Sequence, residues 1–305
     1  MNVCIIGDGL TSLSLAKNLI NKKINVHIYH EGKNNISPNR TIGISKSNFE
    51  FFKKEIYNIK DKWEIKKIGI YSEKLNDKII NCLPKNFIDK KYFLKKIEKK
   101  YNNHAYTAIL KHNKLKNNTA TQTFTKYGPI AFLPISETET SVVYSLDTNK
   151  NNYDKKKVVN LIKNYNSKYI IKKISKLDYF ELRSSNLRQY YYKNIVAFGD
   201  CLHKIHPLAG QGFNMTIRDI KVISSIIQNR INLGMQLDLK ILEEFERKTK
   251  HINFIFSSGI DSIFEIFNFD KKIKNQKLNK IMQLIGRNKV LKSKFIKYAD
   301  SGINS

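Results

Sequence analysis

Two stretches of this chain carry residues whose types and spacing could do chemistry. Near the N-terminus, the apolar run Val3–Ile6 is followed by Gly7, Gly9 and Ser12, and Glu31 stands about two dozen residues beyond. Two glycines after a strand permit a tight turn and a close approach of backbone to a pyrophosphate on the next helix's free N–H groups, while an acid at that distance can bind ribose hydroxyls. Ser12 takes the third glycine's place and is still small enough for close helix–strand packing. An ordinary βαβ unit without a ligand would use the same residues.

The second stretch is NIVAFGDCLHKIHPLAGQGFNMTIRD, Asn194–Asp219. Ile195–Phe198 reads as a short buried strand ended by Gly199, which places the Asp200 carboxylate at the strand's C-terminal edge, ready to accept hydrogen bonds from hydroxyls. Pro207, Gly210 and Gly212 shape a loop whose backbone could approach something flat or charged. From Gln211 onward Phe213, Ile217, Ile220, Ile223 and Ile227 recur at helical spacing, so the helix N-terminus and its positive dipole end face that loop. Piece by piece, a capped strand–loop–helix explains the same residues. His203 and His206 are three apart, but no third metal ligand lies near them; they read as hydrogen-bonding groups beside a ligand or as packing. No Ser or Cys nucleophile has a partnered base, and no Walker loop is present.

The elements that must position these groups follow from periodicity. Residues 2–31 read as strand, helix, strand. NRTIGISKSNFEFFKKEI reads as Arg40, a short apolar strand and, after Ser45, a helix; Arg40 is either solvated or close to a ligand. WEIKKIGIYSE alternates like a strand, and the stretch to residue 100 reads as a polar hairpin or loop entering a basic amphipathic helix. Residues 105–146 alternate apolar and polar side chains and are rich in Thr, Val, Tyr and Phe, as a sheet with one buried face requires. Residues 151–176 read as a basic-surfaced helix, 180–192 as a strand, and 239–269 as helices.

A chain of 305 residues, 41% hydrophobic, can bury a sizeable core in one or two domains. It contains no apolar run of transmembrane length, and MNVCIIGDGL reads as a strand rather than a secretory leader. The net charge of +29 comes almost wholly from scattered Lys, with no nucleic-acid-binding motif beside it. It reads as a compositional bias as much as a binding surface, and as a surface it suits an anionic membrane better than nucleic acid. The three cysteines, Cys4, Cys82 and Cys201, form no metal pattern and suit a reducing cytoplasm.

The motif GDCLHKIHPLAGQGFNMTIRD resembles the second FAD signature of flavin-dependent aromatic hydroxylases of the para-hydroxybenzoate hydroxylase fold, in particular the branch acting on ubiquinone precursors. YGPIAFLP, Tyr127–Pro134, resembles that family's Gly-Pro-x-Ala-x-Leu-Pro segment of the substrate-domain sheet, near the flavin ring and the bound aromatic. EEFERKTKH and the closing ADSGI resemble its C-terminal tail. The likeness covers roughly residues 1–60 and 103–305; between them the family's Gly-Ala-Asp-Gly-type motif is missing, as if the middle were shortened.

This resemblance implies an α/β fold: a Rossmann-like FAD-binding domain (1–62 and 180–235), a mixed β-sheet substrate domain (63–179) and C-terminal helices (236–305). It implies that Gly7, Gly9, Ser12, Glu31, Arg40, Asp200, Pro207, Gly210, Gln211, Gly212 and Asn214 bind FAD, with His206, Pro207, Gly210 and Gln211 beside the flavin and no metal. The implied reaction is hydroxylation of a polyprenylated phenol with NAD(P)H and O2 through a flavin C4a-hydroperoxide. The hard chemistry would then belong to the cofactor, while the protein binds, orients and excludes water. A ubiquinone-pathway protein complex and peripheral contact at the inner face of the membrane, with Lys271–Lys297 supplying charge, complete the expectation. The alternatives are a non-catalytic scaffold of the same fold or another flavin oxidoreductase built on it.

Overall fold

The computed structural model describes residues 2–7, 9–29, 42–57, 67–72, 91–147, 153–205 and 211–273. The chain opens with strand β1 (Asn2–Ile6), helix α1 (Leu10–Asn21) and strand β2 (Asn25–Tyr29), with β1 and β2 parallel in the register Asn2↔Asn25 to Ile6↔Tyr29. A parallel pair requires a crossover, and α1 supplies it. Helix α2 (Lys46–Glu55) follows.

The core of this half forms where α1 meets the long helix α4 (Gln211–Asn232). Ile5, Leu15, Ala16 and Leu19 pack with Ile217, Ile220, Ile223 and Ile227, all buried. The α4 residues recur every three or four positions, so one face of the helix is a continuous apolar stripe. Each isoleucine so buried stabilises the fold by roughly 1.5–3 kcal/mol before conformational entropy is counted.

The rest is a large mixed sheet. Its strands are β3 (Lys67–Ser72), β4 (Lys96–His112), β5 (Thr119–Thr125), β6 (Gly128–Pro134), β7 (Glu139–Asp147), β8 (Ile171–Ile174), β9 (Asp178–Leu187) and β12 (His203–Lys204). The order is β12-β9-β4-β7-β6-β5-β3, with β8 also on β4; β3–β5 is parallel and the other pairs are antiparallel. The sheet therefore runs past residue 179. Strands β10 (Tyr191–Tyr192) and β11 (Ile195–Val196) make a separate small hairpin. On one sheet face, Tyr106, Leu110, Ile130 and Tyr144 pack against Val158 and Ile162 of helix α3 (Lys155–Asn164). On the other, Ala105, Phe124 and Leu182 meet Ile205, Met215 of α4 and Ile260 of helix α5 (Lys240–Ile273). The sheet is thus sandwiched, and α4 belongs to both cores.

Four local expectations change. The basic helix foreseen before residue 100 does not reach it: residues 91–92 are helical, but Lys96–Lys100 are the start of β4 and pair with Arg183–Leu187. The ladder to β9 outweighs helix propensity, a weak prior that tertiary context overrides. The helix foreseen over 151–176 ends at Asn164 and gives way to β8. Asn166 breaks it: its Oδ1 accepts from the N–H groups of Lys168 (3.3 Å) and Tyr169 (2.9 Å), and its Nδ2 donates to the Tyr169 carbonyl (2.6 Å). A side chain that mimics a backbone turn competes with the next helical turn. Of the short strand foreseen before Ser45, the described residues 42–45 are irregular, with Gly43 and Ser45 bonded to the Asn214 side chain of α4. The C-terminal helices foreseen over 239–269 are one helix, α5. ADSGI and most of Lys271–Lys297 lie outside the described residues. Among the described residues no helix is long and apolar enough to cross a membrane.

Candidate functional site

The turn after β1 is shaped by Gly7, at φ +109°. Side chains rarely adopt that backbone conformation, and a Cβ there would also come 3.3 Å from Ser12 Oγ. The Gly7 N–H donates to the Tyr29 carbonyl (2.7 Å), which ties the turn to the end of β2. Gly9 is the N-cap of α1, and its carbonyl accepts the helix's first bond from Leu13 N–H (3.0 Å). With glycine at the cap, the cap residue has no side chain to bond the free N–H groups of the helix.

The second motif begins after β11. The Ala197 N–H donates to the Tyr190 carbonyl (2.8 Å), and Phe198 stacks on Phe245 of α5 with ring centroids 5.6 Å apart. Gly199, Asp200 and Cys201 form one 3-10 turn that leads into β12. Gly199 is at φ +59°, and a Cβ on it would lie 2.6 Å from Thr11 Cγ2. The Asp200 turn is therefore pressed against the first turn of α1. Stretches far apart in the sequence meet, and the turn bearing Asp200 comes to the helix start that carries Gly7, Gly9 and Ser12.

Helix α4 starts at Gln211, as its periodicity predicts, with Gly212 loosely set near Ile205 (4.0 Å from a would-be Cβ). Asn214 is buried with its amide engaged in the protein. Its Oδ1 accepts from the Ser45 N–H (2.9 Å) and from Asn48 Nδ2 (3.2 Å), and its Nδ2 donates to the Gly43 carbonyl (3.2 Å). Lys221 Nζ reinforces the same join through the Ser47 carbonyl (3.2 Å) and Asn48 Oδ1 (2.9 Å). The structure thus gives Asn214 a clamping position on residues 43–48. Glu31, Arg40, His206, Pro207 and Gly210 lie outside the described residues.

His203 finds its partner inside the protein: Nε2 is 2.5 Å from Asp219 Oδ2, and Asn253 Nδ2 of α5 donates to Asp219 Oδ1 (2.9 Å). The Tyr190 phenol is buried nearby, and its pKa is raised first by burial and then by the Asp219 charge. Asp219, Asn48, Asn253 and Thr11 carried no signal in the sequence, for nothing periodic links them to their partners. Among the described residues no cluster of three or more His, Cys, Asp and Glu could hold a metal ion.

Fold and site together define a class. The structure superimposes on p-nitrophenol 4-monooxygenase PnpA from Pseudomonas putida with a TM-score of 0.77 at 10% identity, covering 99% of this chain and 98% of that one. It superimposes on Klebsiella pneumoniae HpxO, solved with FAD and uric acid, with a TM-score of 0.73 at 10% identity over 99% and 96% of the two chains. The fold is that of the FAD-dependent aromatic monooxygenases. A family model described as squalene epoxidase matches residues 89–287, more than half of the chain, and the chain belongs to that family. Among curated relatives, Escherichia coli 3-demethoxyubiquinol 3-hydroxylase is 29% identical over 192 residues, 58% of this chain and 47% of that protein. The Dictyostelium discoideum ubiquinone biosynthesis monooxygenase COQ6, mitochondrial, is 35% identical over 95 residues, 31% of this chain and 19% of that protein. The chain spans at most about half the length of these relatives.

Proposed function

We propose that this chain is an FAD-dependent monooxygenase that hydroxylates the aromatic ring of a polyprenylated phenol in ubiquinone biosynthesis, with NAD(P)H as reductant. The observation that carries the reading is the seating of the Gly199–Asp200 turn on Thr11. It brings the turn that bears Asp200 against the first turn of a helix that opens on glycine, an arrangement that would suit a dinucleotide. The residues present fit FAD: Gly7, Gly9 and Ser12 would take the pyrophosphate, Asp200 the ribityl hydroxyls, and Gln211 and Gly212, opening α4, the flavin end. Bound FAD would supply the electron transfer and oxygen activation.

The remaining work falls to the protein. The N-terminus of α4 would stabilise negative charge developing on the ring system beside it. The sheet face carrying Ala105, Phe124 and Val143, which packs on Ile205 and Met215, would wall off water. Thr107 and Ser141 fall on that same face by strand alternation, and their hydroxyls are buried without a hydrogen-bond partner. Both would suit oxygen substituents of a phenol ring. Residues 1–62 and 180–235 would form the cofactor-binding part, 63–179 the substrate sheet and 236–305 the helical end. A pathway complex and contact with the inner face of a membrane through the chain's basic surface belong to the same reading.

The test is the visible absorption of the purified chain, followed by NAD(P)H oxidation with oxygen and a prenylated phenol. A yellow protein that hydroxylates the phenol supports the proposal. A colourless protein that takes up no added FAD sinks it and favours a non-catalytic member of the fold.

A further inference from the structure

The buried chain of polar groups running from the Asp200 turn to the C-terminal helix has no place in the reaction just described. His203 stands three residues after Asp200; Asp219 lies two turns into α4; Asn253 belongs to α5 and Tyr190 precedes β10. Their exposures are 2%, 0%, 5% and 1% respectively. One Asp219 oxygen is taken by His203 Nε2 at 2.5 Å and the other by Asn253 Nδ2 at 2.9 Å. The Tyr190 phenol is buried nearby, and its pKa is raised first by burial and then by the Asp219 charge. A carboxylate in a protein interior is costly unless its oxygens are satisfied, and an apolar replacement of equal volume is often at least as stable. Stability alone is therefore a weak account of this chain. What two directed bonds to one carboxylate do accomplish is to fix three elements in one relative placement.

We infer that His203, Asp219 and Asn253 are positioning residues that set the Asp200 turn against the N-terminus of α4, so that Asn253, on the C-terminal helix, governs how tightly FAD is held. The inference rests on the FAD reading above. His203 ties β12, and with it the Asp200 turn, to α4. Asn253 keeps the Asp219 carboxylate turned toward His203. Without Asn253 the carboxylate retains one partner and gains rotational freedom, and the placement of turn against helix loosens.

The experiment is FAD titration of the purified full chain by fluorescence quenching, alongside the melting temperature of each apoprotein. Asn253→Leu, close in volume, is expected to weaken FAD about tenfold. Asp219→Asn turns a second amide N–H toward Asn253 and is expected to do the same; it carries the test if Asn253→Leu does not fold. The exchange Asp219→Asn with Asn253→Asp restores donor facing acceptor and is expected to return affinity to within about threefold of wild type. A merely structural role would lower the melting temperatures and leave the FAD affinity of the folded variants unchanged. Single variants binding FAD within about twofold of wild type, or an exchanged pair that rescues melting temperature alone, overturn the inference while the FAD reading stands. A wild-type chain that binds no FAD overturns both.

Discussion

Strands β4–β7 and the glycine-turn half of this molecule satisfy many of their buried polar groups in different ways. Along β4–β7 many partners lie on the same or nearby strands, whereas Tyr101 and Ser184, toward the other edge of the sheet, reach Asp261 of α5. Thr125 Oγ1 donates to the Gly128 carbonyl (2.7 Å) and pairs with the Tyr144 hydroxyl (2.9 Å), while Thr140 serves both His112 Nε2 (2.9 Å) and Asn117 Nδ2 (2.8 Å). In the glycine-turn half the partners are far apart in sequence. Asn214 holds Ser45 across 169 residues, and Gly199 rests on Thr11. A change along β4–β7 should therefore be absorbed locally. A change in the site half should disturb turn, helix and cofactor together, because each is held by the others.

The sharpest way to break that contrast is Gly199→Ala. The residue would be forced to φ +59° with its Cβ 2.6 Å from Thr11 Cγ2, and Thr11 is β-branched on a helix and slow to yield. Left-handed strain and overpacking together should cost about 2–4 kcal/mol, read by denaturant unfolding, with FAD affinity falling alongside. Unchanged stability would mean that the two motifs do not bear on each other.

Next in size is Asp200→Ala. Loss of a hydrogen bond to a charged group, about 1.5–3 kcal/mol, should weaken FAD roughly ten- to a hundredfold, and Asp200→Asn should lose less. Equal affinity in all three proteins would remove Asp200 from the site. The counterpart in the sheet is Tyr144→Phe. Thr125 keeps the Gly128 carbonyl, and the Tyr127 and Gly128 N–H groups still donate to it, so no group is orphaned. The cost should be about 1 kcal/mol of stability with FAD affinity untouched. A parallel fall in FAD binding would erase the distinction between the halves.

The smallest stability effect is expected at Thr107→Val. Its hydroxyl already lacks a partner, so removing it should shift stability by less than about 0.5 kcal/mol in either direction. If the hydroxyl serves a phenol oxygen, KM for the substrate should rise about two- to tenfold with kcat little changed. An unchanged KM would leave the sheet face as an apolar wall only.

Local pattern determined a good part of this protein. The apolar run, two glycines and the 3.6-residue stripe of residues 2–29 specify strand, turn and helix, because each depends on residues within a few positions of one another. The strand at Ile195 and the helix starting at Gln211 were legible for the same reason, and so were the strands between Ala105 and Leu146. What pattern could not decide was which distant group each element would face. Residues 96–100 became a strand because β9 was there to pair with them. Asn214 bonds Ser45 and Asn48, partners that its spacing did not announce, because those groups lay within reach once α2 packed on α4. His203 had a legible type and an illegible partner, since Asp219 lies on a different element with no periodic relation to it. Side-chain spacing encodes the local hydrogen bonds and the buried face. The choice of partner across a hundred residues is made only when those faces pack, and it was packing that brought Gly199 onto Thr11 and made one site of two motifs.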